Sequence, residues 1–321
     1  MKATAMAPSN IAFIKYWGKK DEVLRLPENG SVSMCLSNLL TTTTVEFAND
    51  YKEDEIIFDN VKESLENNRA IKHLDRIRKM ANINLKAKVV TNNNFPTGTG
   101  FSSSASGFAA LTLAGAKAAG LILSEKELSI LARQGSGSAC RSIPDGFVEW
   151  IDSETSDTSY AISLYPPDYW EICDVAAIVS EVKKDVPTTE GQKLKNTSPF
   201  FQTRLFNIKN KIEKIKKLIE NRKFTEFGEM VEAEALELQA IMLTSTPSLI
   251  YLMPNSLLLM KLVKKWRSEG LEVYFTLNTG QNIHLICETK NSNRVEKLLK
   301  ELPEVKKIIV NKPSNGARIV V

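Results

Sequence analysis

Pro96-Thr97-Gly98-Thr99-Gly100-Phe101-Ser102-Ser103-Ser104-Ala105-Ser106-Gly107 is the stretch on which the reading of this chain turns. The β-branched run Lys86-Ala87-Lys88-Val89-Val90-Thr91 and three asparagines precede it, and small apolar residues follow over 105–121, so the order is strand, loop, helix. Glycines let a ligand approach the backbone closely, and serines add hydroxyl donors. A helix opening out of such a loop turns unpaired N–H groups and the positive end of its dipole toward an anion. The spacing is not a Walker A motif, which ends in Gly-Lys-Ser/Thr, and not a Rossmann G-x-G-x-x-G turn. An ordinary capped helix start draws on the same residue types, so the surrounding sequence has to decide between the two.

Upstream, strand-like stretches are expected near residues 2–7 and 41–47. A helix carrying Val61, Leu65, Leu74, Ile77 and Met80 on its packed face is expected next. His73 falls in that helix and reads as a partly exposed surface residue, with no Cys or His at a ligand spacing. Downstream, residues 175–180 form an apolar run that reads as a strand closing a first lobe. Leu205, Ile208, Ile212, Ile215 and Ile219 then mark a helix whose lysines form a solvated face. A further helix is expected to end near Gly270. Strands follow around 273–277 and 283–287, then a helix near 294–302 and a final strand pair. His284 reads as a packing residue on an apolar strand. Helices interspersed with hairpins suggest a small α+β sandwich, and the lobes are expected at residues 1–184 and 185–321.

With 321 residues the chain has room for a large core. Its 42 basic and 38 acidic residues give a net charge of +4, too balanced to suggest an electrostatic grip on nucleic acid or membrane. Four scattered cysteines, Cys35, Cys140, Cys173 and Cys287, suggest neither a zinc site nor a disulfide framework and fit a reducing cytosol. No run of about 20 apolar residues occurs, so the chain reads as soluble and cytoplasmic. Two histidines leave little material for a Ser-His-Asp triad or a multi-histidine metal site.

Four further strings reinforce the loop. Ala7-Pro8-Ser9-Asn10-Ile11-Ala12-Phe13-Ile14-Lys15-Tyr16-Trp17-Gly18-Lys19 reads by composition alone as an edge strand. Leu26-Pro27-Glu28-Asn29-Gly30-Ser31 follows it. Gly135-Ser136-Gly137-Ser138-Ala139-Cys140-Arg141-Ser142 sets a planar arginine fork among small hydroxyl residues, which suits bidentate recognition of carboxylate or phosphate. Lys183-Lys184-Asp185-Val186-Pro187-Thr188-Thr189-Glu190-Gly191 is the last.

In order, these strings resemble the A-x-x-N-I-A-x-x-K-Y-W-G-K, L-P-x-N-x-S, G-S-G-S-A-C-R-S and K-K-D-V-S-S-T-x-G segments of the diphosphomevalonate decarboxylases. The loop resembles the P-x-x-x-G-L-x-S-S phosphate loop of the wider galacto-, homoserine, mevalonate and phosphomevalonate kinase superfamily, with Phe101 where leucine is usual. The resemblance spans most of residues 5–192. It implies an α+β two-lobed fold, with a ribosomal-protein-S5-domain-2-like N-terminal lobe and a ferredoxin-like C-terminal sandwich. It also implies a homodimer that uses ATP and Mg2+ on a phosphorylated mevalonate: the 3-hydroxyl is phosphorylated, then phosphate and CO2 leave to give an isopentenyl phosphate.

By the same resemblance Lys15, Arg141, Ser104 and Asn278 are catalytic candidates. Asn10, Tyr16, Lys19, Ser31, Ser136 and Ser138 are candidates for the substrate, and Asn94, Pro96, Gly98, Gly100, Ser102 and Ser103 for the nucleotide. The sequence departs from the family at Tyr274-Phe275-Thr276-Leu277-Asn278-Thr279-Gly280-Gln281-Asn282, where the family has Y-T-F-D-A-G-P-N. An amide has the shape of the missing aspartate but neither takes a proton nor carries charge. Asp145 is a candidate to supply that charge, and Gln239 stands where a histidine is frequent. The substitution leaves open a mevalonate 3-kinase, an ATP-independent 3,5-bisphosphate decarboxylase and a silent isoprenoid-phosphate sensor.

Overall fold

The computed structural model describes residues 1–66, 68–97 and 99–320. In chain order the first lobe holds β1 (Lys2–Ile14), β2 (Lys19–Asp21), β3 (Leu26–Pro27), β4 (Ser31–Ala48), β5 (Glu55–Phe58), β6 (Val61–Lys62), α1 (Arg69–Ala81), β7 (Lys86–Asn93), α2 (Ser103–Ala118), α3 (Glu125–Gly135), β8 (Phe147–Trp150) and β9 (Ala161–Tyr165). There follow β10 (Ile172–Ile178), α4 (Thr188–Gly191), α5 (Phe201–Glu220), α6 (Phe224–Leu243), α7 (Pro254–Ser268), β11 (Val273–Thr276), β12 (Ile283–Glu288), α8 (Ser292–Lys300), β13 (Lys307–Asn311) and β14 (Arg318–Ile319).

The first sheet runs β14-β1-β4-β7-β5-β6, with β8 and β9 added on the far half of β4. β1 and β4 are long enough to be paired nearly throughout, from Lys2 opposite Glu46 to Ile14 opposite Val32. Residues 7–14 of the string read as an edge strand thus lie in β1, paired with β4 on one side, while β14 reaches its other side only at Ala5 and Met6. Helix α2 packs on this sheet through Ala109, Ala110 and Ala114, all fully buried. A methyl group on Gly115 would stand 2.7 Å from Ile77 Cδ1, so the small-residue content of α2 is what lets α1 lie close.

The second sheet runs β11-β12-β10-β13 and is antiparallel throughout. In chain order β10, helices, β11, β12, α8 and β13 make a split βαβ arrangement, the ferredoxin-like pattern. The run at 175–180, expected to close the first lobe, instead supplies a central strand here: Val175 pairs with both Leu285 and Val310. Its uninterrupted apolar character reflects burial on both faces of this sheet. The expected final strand pair is also not a pair. β13 borders β10, whereas β14 returns to β1 in the first sheet, Ala5 opposite Ile319. Two-lobed α+β architecture thus holds, with the chain's end stitched back into the first lobe.

Helix α1 begins only at Arg69, capped by Asn68, because Val61 is taken up in a hairpin with β5. His73 is fully buried on it and hydrogen-bonded to Thr112 Oγ1 at 2.8 Å, contrary to the surface placement. Burial pushes its pKa down to about 3, with Arg76, Arg69 and Arg25 adding to the effect. On α5, Ile208, Ile212, Ile215 and Ile219 are buried as the period demands, contributing about 1.5–3 kcal/mol each. They pack with Phe13, Val32 and Met34 of the first sheet and Phe227, Tyr274 and Ile286 near the second, so one apolar core spans both lobes. Among the described residues no helix is long and apolar enough to cross a membrane.

Candidate active site

The glycine- and serine-rich loop opens α2. Ser102 sits in the left-handed region at φ 54° as the N-cap; its carbonyl accepts from Ala105 N at 2.7 Å, but its side chain makes no capping bond and consumes no first-turn donor. Gly100, at φ 105°, lies against the β11–β12 turn, where a Cβ would stand 2.9 Å from Gly280 Cα. Two amides fasten the loops together. Asn282 Nδ2 donates to Thr99 O and to Ser180 O at 2.9 Å each, while its Oδ1 accepts from Val179 N at 2.8 Å. Asn278 Nδ2 donates to Ser102 Oγ at 2.9 Å.

Lys15 follows the last residue of β1 and is held from several sides. Its backbone N–H donates to Glu234 Oε1 at 2.9 Å, and its carbonyl accepts from Arg204 Nη2 at 2.8 Å and Asn29 Nδ2 at 2.9 Å. Its amine reaches Ala12 O at 2.6 Å and Thr276 Oγ1 at 2.7 Å. Burial drives its pKa down to about 7, opposed by Glu234 and assisted by Arg141 and Arg204.

Arg141, in the short turn after α3, is buried and forked between Ser31 Oγ at 2.8 Å and Asn10 Oδ1 at 2.9 Å. Its Nε is buried without a partner, a donor suited to an anionic ligand. Ser136 Oγ lies 3.3 Å from Ser104 Oγ and joins this turn to the start of α2.

These groups surround a cavity of about 260 Å³. Lys15, Arg25, Arg69, Arg141 and Lys184 line it, and among the described residues no Asp, Glu or His does. Arg69 is brought down to about 10 and Lys184 to about 8, in both cases chiefly by burial. Burial pushes the Tyr16 phenol up. The unoffset positive charge makes the cavity a receptor for a polyanion. A second, more apolar cleft of about 430 Å³ is lined by Ile56, Phe58, Val89, Phe108 and Leu111, and shares Arg69, Thr97, Ser103 and Ser104 with the first. The two spaces meet at the N-terminus of α2, so a ligand with an apolar end and a phosphate tail fits across them.

The cavity brings together Lys15, Tyr16, Gly100, Ser102, Ser103, Ser104, Ser136, Ser138, Arg141 and Asn278. Other expected residues stand outside its lining. Asn10 and Ser31 hold Arg141 from behind. The Lys19 side chain is buried and paired with Glu22. Asn94 ties the loop to β4 by accepting from Leu40 N at 2.9 Å, and Pro96 O accepts from Thr99 Oγ1 at 3.1 Å. Gly98 lies outside the described residues. Asp145 is exposed and accepts from Gly316 N at 2.6 Å; it does not line the cavity, so the expectation that it supplies a charge there does not hold. Lys184, Thr188 and Thr189, which the fourth string contained but no role was drawn for, do line it, as do Arg25 and Arg69. No local motif marks those arginines, because they reach the cavity from the β2–β3 loop and from α1.

Residues 7–161 match the diphosphomevalonate decarboxylase-like N-terminal domain, and residues 175–317 match the mevalonate 5-diphosphate decarboxylase C-terminal domain. The chain is 36% identical over 315 residues to a diphosphomevalonate decarboxylase of Candida albicans, covering 92% of this chain and 87% of that protein. It superposes on the mevalonate diphosphate decarboxylase of Staphylococcus aureus with a TM-score of 0.94 at 37% identity, covering 100% of this chain and 98% of that one. The enzyme MDDEF in complex with MVAPP, AMPPCP and magnesium gives 0.93 at 36% identity, with coverage of 100% and 99%. Two domain models in the right order and relatives matched along nearly their whole length agree with the loop, the arginine fork and the cationic cavity: this chain belongs to the diphosphomevalonate decarboxylase family.

Proposed function

We propose that this mevalonate-pathway decarboxylase takes mevalonate 5-diphosphate and ATP, phosphorylates the 3-hydroxyl, and eliminates phosphate and CO2 to give isopentenyl diphosphate. The observation that carries the reading is the carboxylate-free cavity lined by five basic side chains where the N-terminus of α2 meets an apolar cleft. Two polyanions brought side by side repel each other, and fixed cations with helix-terminal amides offset that repulsion. The uncommitted Arg141 Nε takes the substrate carboxylate. Tyr16 and Ser138 hold the 5-diphosphate, and Lys19 exchanges Glu22 for it on binding. The nucleotide places its base in the apolar cleft and its phosphates on Ser102, Ser103, Ser104 and Lys184. When bound with the nucleotide held by these residues, Mg2+ would neutralise charge that develops on the phosphates. The enzyme acts in the cytoplasm as a homodimer.

Departure of phosphate from a tertiary carbon builds positive charge on it, and Asn278 supplies only a dipole there. The leaving phosphate is then the nearest anion to that carbon. Incubation with mevalonate 5-diphosphate, ATP and Mg2+, following ADP and CO2 separately, tests the reading. Equal release of both is expected. ADP without CO2 would make the chain a 3-kinase, and CO2 only from a 3,5-bisphosphate substrate would remove ATP from its reaction.

A further inference from the structure

Transfer of a phosphoryl group to the 3-hydroxyl must dispose of that hydroxyl's proton, and the cavity limits where it can go. Among the described lining residues no carboxylate or imidazole is available. Arginines keep their protons, and burial pushes the Tyr16 phenol up, so it is not a phenolate at neutral pH. The Asn278 amide is not basic and is spent on Ser102. Two lysines remain. Lys184 Nζ has three partners, Thr188 Oγ1 at 2.5 Å, Thr279 O at 2.6 Å and Thr279 Oγ1 at 3.1 Å, which occupy all three ammonium donors. Lys15 Nζ has two partners, Ala12 O and Thr276 Oγ1. A neutral amine donating to both keeps its lone pair free.

We infer that Lys15 Nζ is the proton acceptor of this active site, in a role that Asn278 cannot fill. The inference rests on the reaction proposed above. The 3-hydroxyl proton passes to the Lys15 lone pair, and the oxygen's electron pair forms a bond to the γ-phosphorus. The bond from that phosphorus to the bridging oxygen of ADP breaks, and ADP leaves with the electron pair. The new ammonium then stands beside the transferred phosphate, where its charge is most useful. It can return the proton to that phosphate as the C–O bond breaks.

The surroundings hold the amine ready. Burial lowers its affinity for a proton first and most. Glu234 on α6 and Asp174 on β10 pull it up, and Arg141 in the turn after α3 and Arg204 on α5 push it down, leaving it near 7. The clamp on its backbone by Glu234, Arg204 and Asn29 fixes where the amine sits.

Two experiments test this. In the pH dependence of kcat/KM for ADP release, the wild type should show an acid limb with an apparent pKa near 7. Asn278→Asp adds a second acceptor and should move that limb to lower pH. Ionisation of the substrate is common to both enzymes and cannot produce the difference. Lys15→Met, of similar length and apolar, should lose on the order of a thousandfold in ADP release while mevalonate diphosphate still raises its melting temperature. Added primary amines should restore part of the rate, the more basic amines doing better. A limb unmoved in Asn278→Asp, no rescue by amines, or a Lys15→Arg variant within about tenfold of wild type would each overturn the inference, since an arginine cannot accept the proton. A wild type that releases neither ADP nor CO2 would instead overturn the functional reading itself, and the inference with it.

Discussion

Arg141 shows how one side chain can be both structural and chemical. Its two Nη groups are committed to Ser31 and Asn10, and its Nε is not. An ammonium cannot reproduce that fork. Arg141→Lys should therefore fold and yet lose about 100-fold in kcat/KM for mevalonate diphosphate, equivalent to about 2.7 kcal/mol of transition-state stabilisation. Steady-state kinetics beside a thermal melt checks both halves, and a collapsed melt would mean that the fork is needed for folding. His73 makes the opposite point. Its sequence neighbours are charged, which suggested a wet face, but the residue that decides its environment is Thr112, 39 positions away on α2.

At the scale of an element, the phosphate loop is shaped by what lies opposite. Gly100 carries a positive φ and touches Gly280 backbone to backbone. A methyl group there meets both a disfavoured conformation and a main chain that cannot step aside. Gly100→Ala should cost about 1–3 kcal/mol of stability and raise the KM for MgATP by roughly tenfold through displacement of the loop. The KM for mevalonate diphosphate should change much less. Calorimetry with initial-rate kinetics separates the two effects, and equal rises in both KM values would count against a nucleotide role for the loop. The loop's chemistry was legible in its glycines and serines. Its partner was not, because Gly280 belongs to a turn between strands of the other sheet.

Across the whole molecule, the buried pairing of Arg204 on α5 with Glu234 on α6 ties the helices of the second lobe to the end of β1. Burial alone would raise the Glu234 pKa, yet Arg204 and Lys211 hold it below the usual carboxylate range. Such a depressed acid adds stability above its unfolded pKa and loses it as pH falls through the folded one. Glu234→Gln should thus destabilise the protein by about 3 kcal/mol at pH 7, with the gap narrowing in acid. Denaturant melts at several pH values give the curve, and a gap independent of pH would show that charge is not what Glu234 contributes.

The sequence by itself determined the chemistry-bearing strings, their order and the α+β composition, and through the resemblance it set the expectation that Asn278 stands where the family has a carboxylate. Each of these resides in residues close together along the chain, where spacing alone reports backbone conformation and donor type. Only the tertiary structure decided that residues 172–178 run through the middle of the second sheet, that the C-terminal strand returns to the first, and that Asp145 lies outside the cavity lining. It alone showed that Arg25, Arg69 and Lys184 join Lys15 and Arg141 around a cavity that, among the described residues, no Asp or Glu lines. Burial, and the pairing of groups a hundred or more residues apart, are set by packing between elements, and no local pattern of residue types encodes them.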